Sequence, residues 1–188
     1  VLDGAASTYQ TSLTGNLVNG AGTFTLRSEQ IGTLTATAST TTPGGIVDGT
    51  TSINIVSDAI AGLRWSTGLE PLAQYEATAS NWSTIGAELY DQFGNIVTSN
   101  TGEDIVLSLD GAPTGTLSGT LTKQTLFGQT LFSDINYVKV ETITLRATHT
   151  SSSETITQSI DIIPSNPKKV ILVMEGETFV AVSYTHLT

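Results

Sequence analysis

Chemistry in this chain would have to come from few side chains. Only two histidines occur, His149 and His186, and there is no cysteine. A nucleophile needs a base beside it, oriented in turn by a carboxylate. No spacing of His, Ser and Asp supplies such a set, and no Gly-x-Ser-x-Gly, His-x-x-x-His or phosphate-loop motif occurs. His149 therefore reads as a strand-end residue, and no residue is assigned as catalytic or cofactor-binding. Asp58, Asp91, Asn95, Glu103 and Asp104 are oxygen donors of the type calcium uses. The dense Asp-x-Asp-x-Asp loop of a strong site is missing, so turn formation and solvation are the expected roles. No cofactor or metal ligand is assigned, with a calcium ion at a domain junction near Asp58 as the alternative to test. Trp82 and Tyr75 would have to stand exposed to bind a sugar or a receptor; packing of Trp82 over the end of a sandwich is the expected outcome. Trp65 reads as a core or edge residue of an early strand, and Asn81 opens an Asn-Trp-Ser sequon that matters only in a glycosylating host.

The elements that position these residues are strands. Ile143, Leu145 and Ala147 alternate with Thr142, Thr144, Arg146 and Thr148. A period of two sends one set into a core and the other to water. Leu34, Ala36 and Ala38 alternate with threonines in the same way, as do Ile53/Ile55 and Ile160/Ile162 with their neighbours. Strands are expected near 62–67, 85–90, 95–98, 105–109, 116–122, 129–135, 141–148 and 155–163. The stretch LEPLAQYEATAS, the one segment that invites a helical reading, carries Pro71 and no sustained 3.6-residue stripe. Short strands at this spacing, with Gly and Asn between them and no helices, predict an all-β immunoglobulin-like Greek-key sandwich. Ile143, Leu145, Ile160 and Ile162 should face its core.

The chain also repeats itself. LDGA occurs at 2–5 and again at 109–112; Gly20 and Phe24 fall on Gly128 and Phe132; TLTATAS (33–39) falls on TLRATHT (144–150); SINIV (52–56) falls on SIDII (159–163). The period near 107 residues suits a small domain rather than a solenoid unit. Residues 1–57 then read as the C-terminal half of one repeat, 58–164 as a complete repeat, and 165–188 as the start of a third, with Trp65 opposite Leu172. By this phasing 58–164 unfolds in one step, whereas 1–57 alone is disordered or aggregated. Its inward residues Phe24, Leu34, Ala36 and Ile53 lack the early strands that would cover them.

Net charge is −10, with seven Lys+Arg against 17 Asp+Glu. Without a basic stripe the chain cannot release counterions from a phosphate backbone, so nucleic acid is not an expected partner. No apolar run approaches the roughly 20 residues that span a bilayer.

The segment YDQFGNIV (90–97) is the most informative turn: Asp91 can bond the amides that follow it, and Gly94 and Asn95 accept positive φ. Asp-x-x-Gly-Asn-x-Val, then GTLSGTLT, GQTLFSDI, ITLRATHT and SIDII in that order, resembles the bacterial immunoglobulin-like (invasin/intimin-type, Big-like) tandem repeats of large surface or secreted proteins. The resemblance covers 58–164, and its later elements recur in 1–57. Where many such repeats have Gly-x-Tyr before the TLRAT strand, this chain has YVKVETI. The resemblance implies a non-catalytic spacer or adhesion module holding a binding domain away from a bacterial cell surface. Its partners would be neighbouring repeats and, through other domains, a host receptor or glycan. An accessory or carbohydrate-binding module of a larger secreted enzyme is the alternative. The final residues VSYTHLT (182–188) resemble translated adaptor sequence at the ends of metagenomic fragments and are left out of the fold reading.

Overall fold

The computed structural model describes residues 2–4, 16, 18, 22–24, 26, 28–39 and 48–165. His186 and the residues from 166 onward lie outside them. The described residues form eleven strands and no helix. They are β1 (Leu2–Gly4), β2 (Gly32–Ala38), β3 (Gly49–Ile55), β4 (Ile60–Trp65), β5 (Gln74–Glu76), β6 (Ile85–Asp91), β7 (Asp104–Asp110), β8 (Thr122–Gln124), β9 (Gln129–Phe132), β10 (Thr142–His149) and β11 (Thr155–Ile163). Three sheets result, ordered β1-β2-β3, β5-β11-β10-β7-β8 and β4-β6-β9. Every pairing is antiparallel except that of β5 with β11.

The second and third sheets pack face to face. The larger sends in Ile105, Leu107, Ile143, Leu145, Ala147, Ile160 and Ile162; the smaller answers with Leu63, Trp65, Ile85, Ala87, Leu89 and Phe132, all in one buried cluster. The four residues expected to face the core, Ile143, Leu145, Ile160 and Ile162, are each 0–2% exposed. β10 alternates buried Ile143, Leu145, Ala147 and His149 with more exposed residues, so the period-two pattern translates directly into a buried face.

Three expected strands are altered. Segment 95–98 makes only the bridge Tyr90↔Ile96, because the chain folds back at once: Asp91 N–H bonds the Asn95 carbonyl at 2.9 Å. Segment 116–122 is largely loop, tied to Asn136 by a bridge at Ser118, with strand resuming at Thr122. The last of the three, 129–135, stops at Phe132 as a strand. Conversely β5 lies within LEPLAQYEATAS, where no strand was expected. It has three residues with only Tyr75 buried, too short to show a period, and it holds its place through parallel pairing with β11.

The small sheet β1-β2-β3 reproduces the pairing of β7-β10-β11. Asp3 faces Thr35 as Asp110 faces Thr144, and Leu34 faces Ile53 as Ile143 faces Ile160. This register places 33–39 on 142–148 rather than on 144–150. Cross-strand partners fix the equivalence where sequence letters alone slip by two. Ala38 then matches Ala147, not His149. In this sheet Leu34 is buried and Ala36 and Ile53 are half-buried. Phe24, one of the four inward residues expected to lack cover, is 46% exposed, whereas Phe132 is fully buried. Phe132 is covered by the facing sheet, and among the described residues no second sheet covers β1-β2-β3.

Candidate functional site

The best-built polar cluster lies where β3 gives way to β4. Asp91 ends β6 and is 1% exposed, although its carboxylate has no cation beside it among the described residues. N–H donors occupy it instead. Its Oδ1 accepts from the backbone N–H groups of Phe93 and Asn95, each at 2.9 Å, and its Oδ2 accepts from Asp58 N–H at 3.1 Å. The Asn95 amide Nδ2 adds donors to both oxygens, at 3.2 and 3.0 Å. Burial alone raises the carboxyl's pKa. The bonds from Asn95, Asp58 and Phe93 outweigh it and hold the group below the ordinary carboxylate value. Gly94, with φ of 84°, lets the turn close tightly enough for those amides to converge. Asn95 was also expected to accept positive φ, but only Gly94 in this turn does so.

Asn95 reaches further. Its Nδ2 donates at 2.8 Å to the carbonyl of Glu29, in the segment leading into β2. Beside this bond opens a cleft of about 320 Å³, with Ser28, Glu29 and Val56 on one side and Asp91, Phe93 and Asn95 on the other. Asp58 is exposed, and its Oδ1 and Oδ2 accept from Ala59 N–H at 2.8 Å and Gln92 Nε2 at 2.7 Å. One buried carboxylate thus gathers the Asp58 N–H and the turn after β6, and Asn95 links that turn to the segment leading into β2.

Of the five oxygen donors considered for calcium, only Asp58, Asp91 and Asn95 meet. Glu103 lies with Asn100 and His149, and Asp104 starts β7, its carbonyl accepting from Thr150. Among the described residues no three His, Asp or Glu groups converge on a metal position. The donors filling the Asp91 oxygens are N–H groups that a cation would have to displace.

His149 is fully buried, which its place at a strand end did not announce. Its Nδ1 lies 2.7 Å from Ser152 Oγ, and its Nε2 lies 2.8 Å from Glu103 Oε2 without the alignment of a hydrogen bond. The Asn100 side chain, at 2.8 Å, leads the contacts that hold Glu103 below the ordinary carboxylate value. Ser, His and Glu thus stand in line, a set that sequence spacing missed because Glu103 arrives from β7's edge. The β10–β11 turn supplies Ser152 and closes over the ring.

Tyr75 and Trp82 stack with centroids 4.3 Å apart and planes 11° from parallel. Both are buried, at 8% and 6% exposure, so neither forms an exposed platform. The Tyr75 hydroxyl accepts from Leu72 N–H and lies 3.2 Å from Ser83 Oγ. Trp65 is a core residue, and Asn81 is exposed. Four exposed apolar side chains, Leu69, Leu126, Phe127 and Leu131, line a second cleft.

A second carboxylate network also went unforeseen. Glu141 accepts from Tyr137 Oη at 2.5 Å, from Thr114 N–H at 3.1 Å and from Gly115 N–H at 2.9 Å. These donors, Tyr137 first, hold its pKa at about 2. Burial, followed by the bond to Glu141, raises that of Tyr137. The signal available in sequence was the Tyr-x-x-x-Glu spacing of Tyr137 and Glu141 just before β10.

No family model matches this sequence, and no curated protein matches it. Two solved glycosyl hydrolase family 2 members from Bacteroides cellulosilyticus, the second from strain DSM 14838, resemble it in structure. The first has a TM-score of 0.47 and 18% identity, covering 71% of this chain and 17% of the other. The second has a TM-score of 0.45 and 18% identity, covering 70% and 18%. Domains 1–6 of the surface layer protein SbsC follow at TM-score 0.40 and 16% identity, covering 73% and 17%. This chain thus spans less than a fifth of each. Likeness of this degree fixes neither topology nor activity.

Proposed function

We propose that the chain is a non-catalytic spacer or adhesion module: tandem immunoglobulin-like repeats, Greek-key in topology, that carry a binding domain away from a bacterial cell surface. The observation that carries this reading is the shared register of β1-β2-β3 and β7-β10-β11, with the Asp91 joint between the two sets. Identical pairing over three strands is what duplication of a domain leaves behind, and a polar joint at the seam restricts bending. Within the described residues no helix is long and apolar enough to cross a membrane. An extracellular or surface location and contact with neighbouring repeats follow from the reading, with recognition of a receptor or glycan assigned to other domains. The direct test is the sequence of the flanking gene. Further units with a period near 107 residues are expected.

The second reading is an accessory or carbohydrate-binding module of a larger secreted enzyme. It requires an exposed aromatic platform. Tyr75 and Trp82 are buried, but Phe127 is 63% exposed beside Leu126 and Leu131. A catalytic domain adjoining the chain in the flanking gene would favour this reading over the first.

A further inference from the structure

The joint at Asp91 has two sides, and the complete sandwich carries a counterpart of each. Its receiving side is the turn of Asp91, Phe93 and Asn95, at the end where β6 finishes. The side it receives comes from the preceding sheet: the Glu29 carbonyl and, across the cleft, Val56. By the strand register Glu29 corresponds to Val138, and by the SINIV/SIDII match Val56 corresponds to Ile163. Both counterparts lie at the opposite end of the sandwich. Thr78 bridges Tyr137, and Trp82 N–H bonds the Ile135 carbonyl, just before β6 begins at Ile85.

Among the described residues that end keeps exposed apolar side chains. Val138 and Val140 are 60% and 52% exposed, two of the large apolar side chains that stand more than half exposed among the described residues. The Val138 carbonyl accepts no hydrogen bond among the described residues. The chain leaves β11 beside them, since Ile162 N–H bonds the Glu141 carbonyl, and the sequence then runs on from Ser165 to Thr188. A contact between unlike faces does not close on itself. Each unit that receives on one end offers on the other, and such contacts propagate in a row.

We infer that the 137–140 loop is a docking face for the Asp-x-x-Gly-Asn turn of a following repeat, whose Asn95 equivalent donates to the Val138 carbonyl and whose Phe93 equivalent packs on Val138 and Ile163. The inference rests on the tandem-repeat reading and names the surface through which successive repeats are held. At the existing joint the position of Val138 is held by Glu29, so the proposed joint is the more apolar of the two.

The test extends the chain by one repeat: residues 1–164 followed directly by a second copy of 58–165, with valine methyl groups labelled for NMR. The Val138 and Val140 signals of the first copy should move from their positions in the 188-residue chain, while those of the terminal copy stay. Phe93→Ser in the second copy alone, at a side chain already 38% exposed, should return the first-copy signals to their original positions. Spin labels on the two copies should report a broader distance distribution in the Val138→Asp/Val140→Asp variant. A well-folded second copy with unmoved Val138 and Val140 signals overturns the docking face and leaves the repeat reading standing. A second copy that fails to fold overturns the repeat reading, and the docking face with it.

Discussion

The carboxylate of Asp91 accepts the backbone N–H of Asp58 at 3.1 Å across 33 residues of sequence. One oxygen thereby ties the strand that ends at Asp91 to the linker that starts the sandwich. Its other contacts fold the following turn. Replacing Asp91 with alanine strands the Asp58, Phe93 and Asn95 donors together. Hydrogen bonds to charged groups contribute about 1.5–3 kcal/mol each, in part overlapping within one network. We expect Asp91→Ala to cost about 3 kcal/mol, read as a lower urea midpoint at unchanged slope. Asn95→Ala should cost less for the sandwich while loosening the contact with Glu29, visible as faster amide exchange at Gly32 and Thr33.

Acid sensitivity should centre on Glu141. Its folded pKa of about 2 lies below the ordinary 4.5. A depressed carboxylate contributes stability that is present above the unfolded value and is lost as pH falls through the folded one. The melting temperature should therefore decline from about pH 4.5 toward pH 2. Asp91 and Glu103 are shifted in the same direction and add to the slope. Glu141→Gln should flatten the decline in this window and lower stability at pH 7. An unchanged pH profile would show that the Tyr137–Glu141 bond is not maintained in solution.

How much of this was legible in the sequence depended on where the information resides. Ile143, Leu145, Ile160 and Ile162 were readable because a two-residue period is a local property of long strands. β5 was not, since three residues carry no period and its parallel partner lies far along the chain. The Asp91 turn was legible in outline from Asp-x-x-Gly-Asn, but its reach to Asp58 and Glu29 was not, because those contacts are made by backbone groups that every residue type carries. His149 and Glu103 meet only because β10 pairs with β7, and the two-residue slip in the repeat alignment hid nothing less than the register itself.

Millimolar calcium should leave the melting temperature unchanged. A ligand that binds only the folded state raises stability with its concentration over Kd. The Asp91 oxygens already accept the N–H groups of Asp58, Phe93 and Asn95, which an ion would displace, and no third His, Asp or Glu joins Asp58 and Asp91 among the described residues. A rise in melting temperature that is lost in Asp58→Asn would reverse this assignment and place an ion at the joint.

Phe127 should be replaceable with profit. Phe127 and Gly128 have φ of 52° and 77°, the left-handed pair of a tight hairpin turn that favours Asn-Gly. Asn19-Gly20 is the pair that the match of Gly20 and Phe24 to Gly128 and Phe132 sets against it. A left-handed non-glycine residue costs about 1 kcal/mol or more, least for asparagine. Phe127→Asn should raise stability by about 0.5–1 kcal/mol in urea denaturation. A loss would mean that the exposed ring packs on Leu126 or Leu131 more tightly than its 63% exposure indicates.

The line of Ser152, His149 and Glu103 should be structural. Ester hydrolysis needs a nucleophile with room for substrate, a base that can shuttle its proton, and donors aimed at the oxyanion. His149 is fully buried, and the two clefts at Asp91 and at Phe127 are lined by other residues. Ser152 also belongs to the β10–β11 turn, where its Oγ lies 3.4 Å from Glu154 N–H as well as close to the ring. Its hydroxyl therefore serves the turn and fixes the imidazole. We expect hydrolysis of p-nitrophenyl acetate no faster than in Ser152→Ala, and a lower melting temperature in His149→Ala from the lost packing of a fully buried ring. Saturable turnover that disappears in both Ser152→Ala and Glu103→Gln, with their folds intact by circular dichroism, would turn the same three residues into an active site.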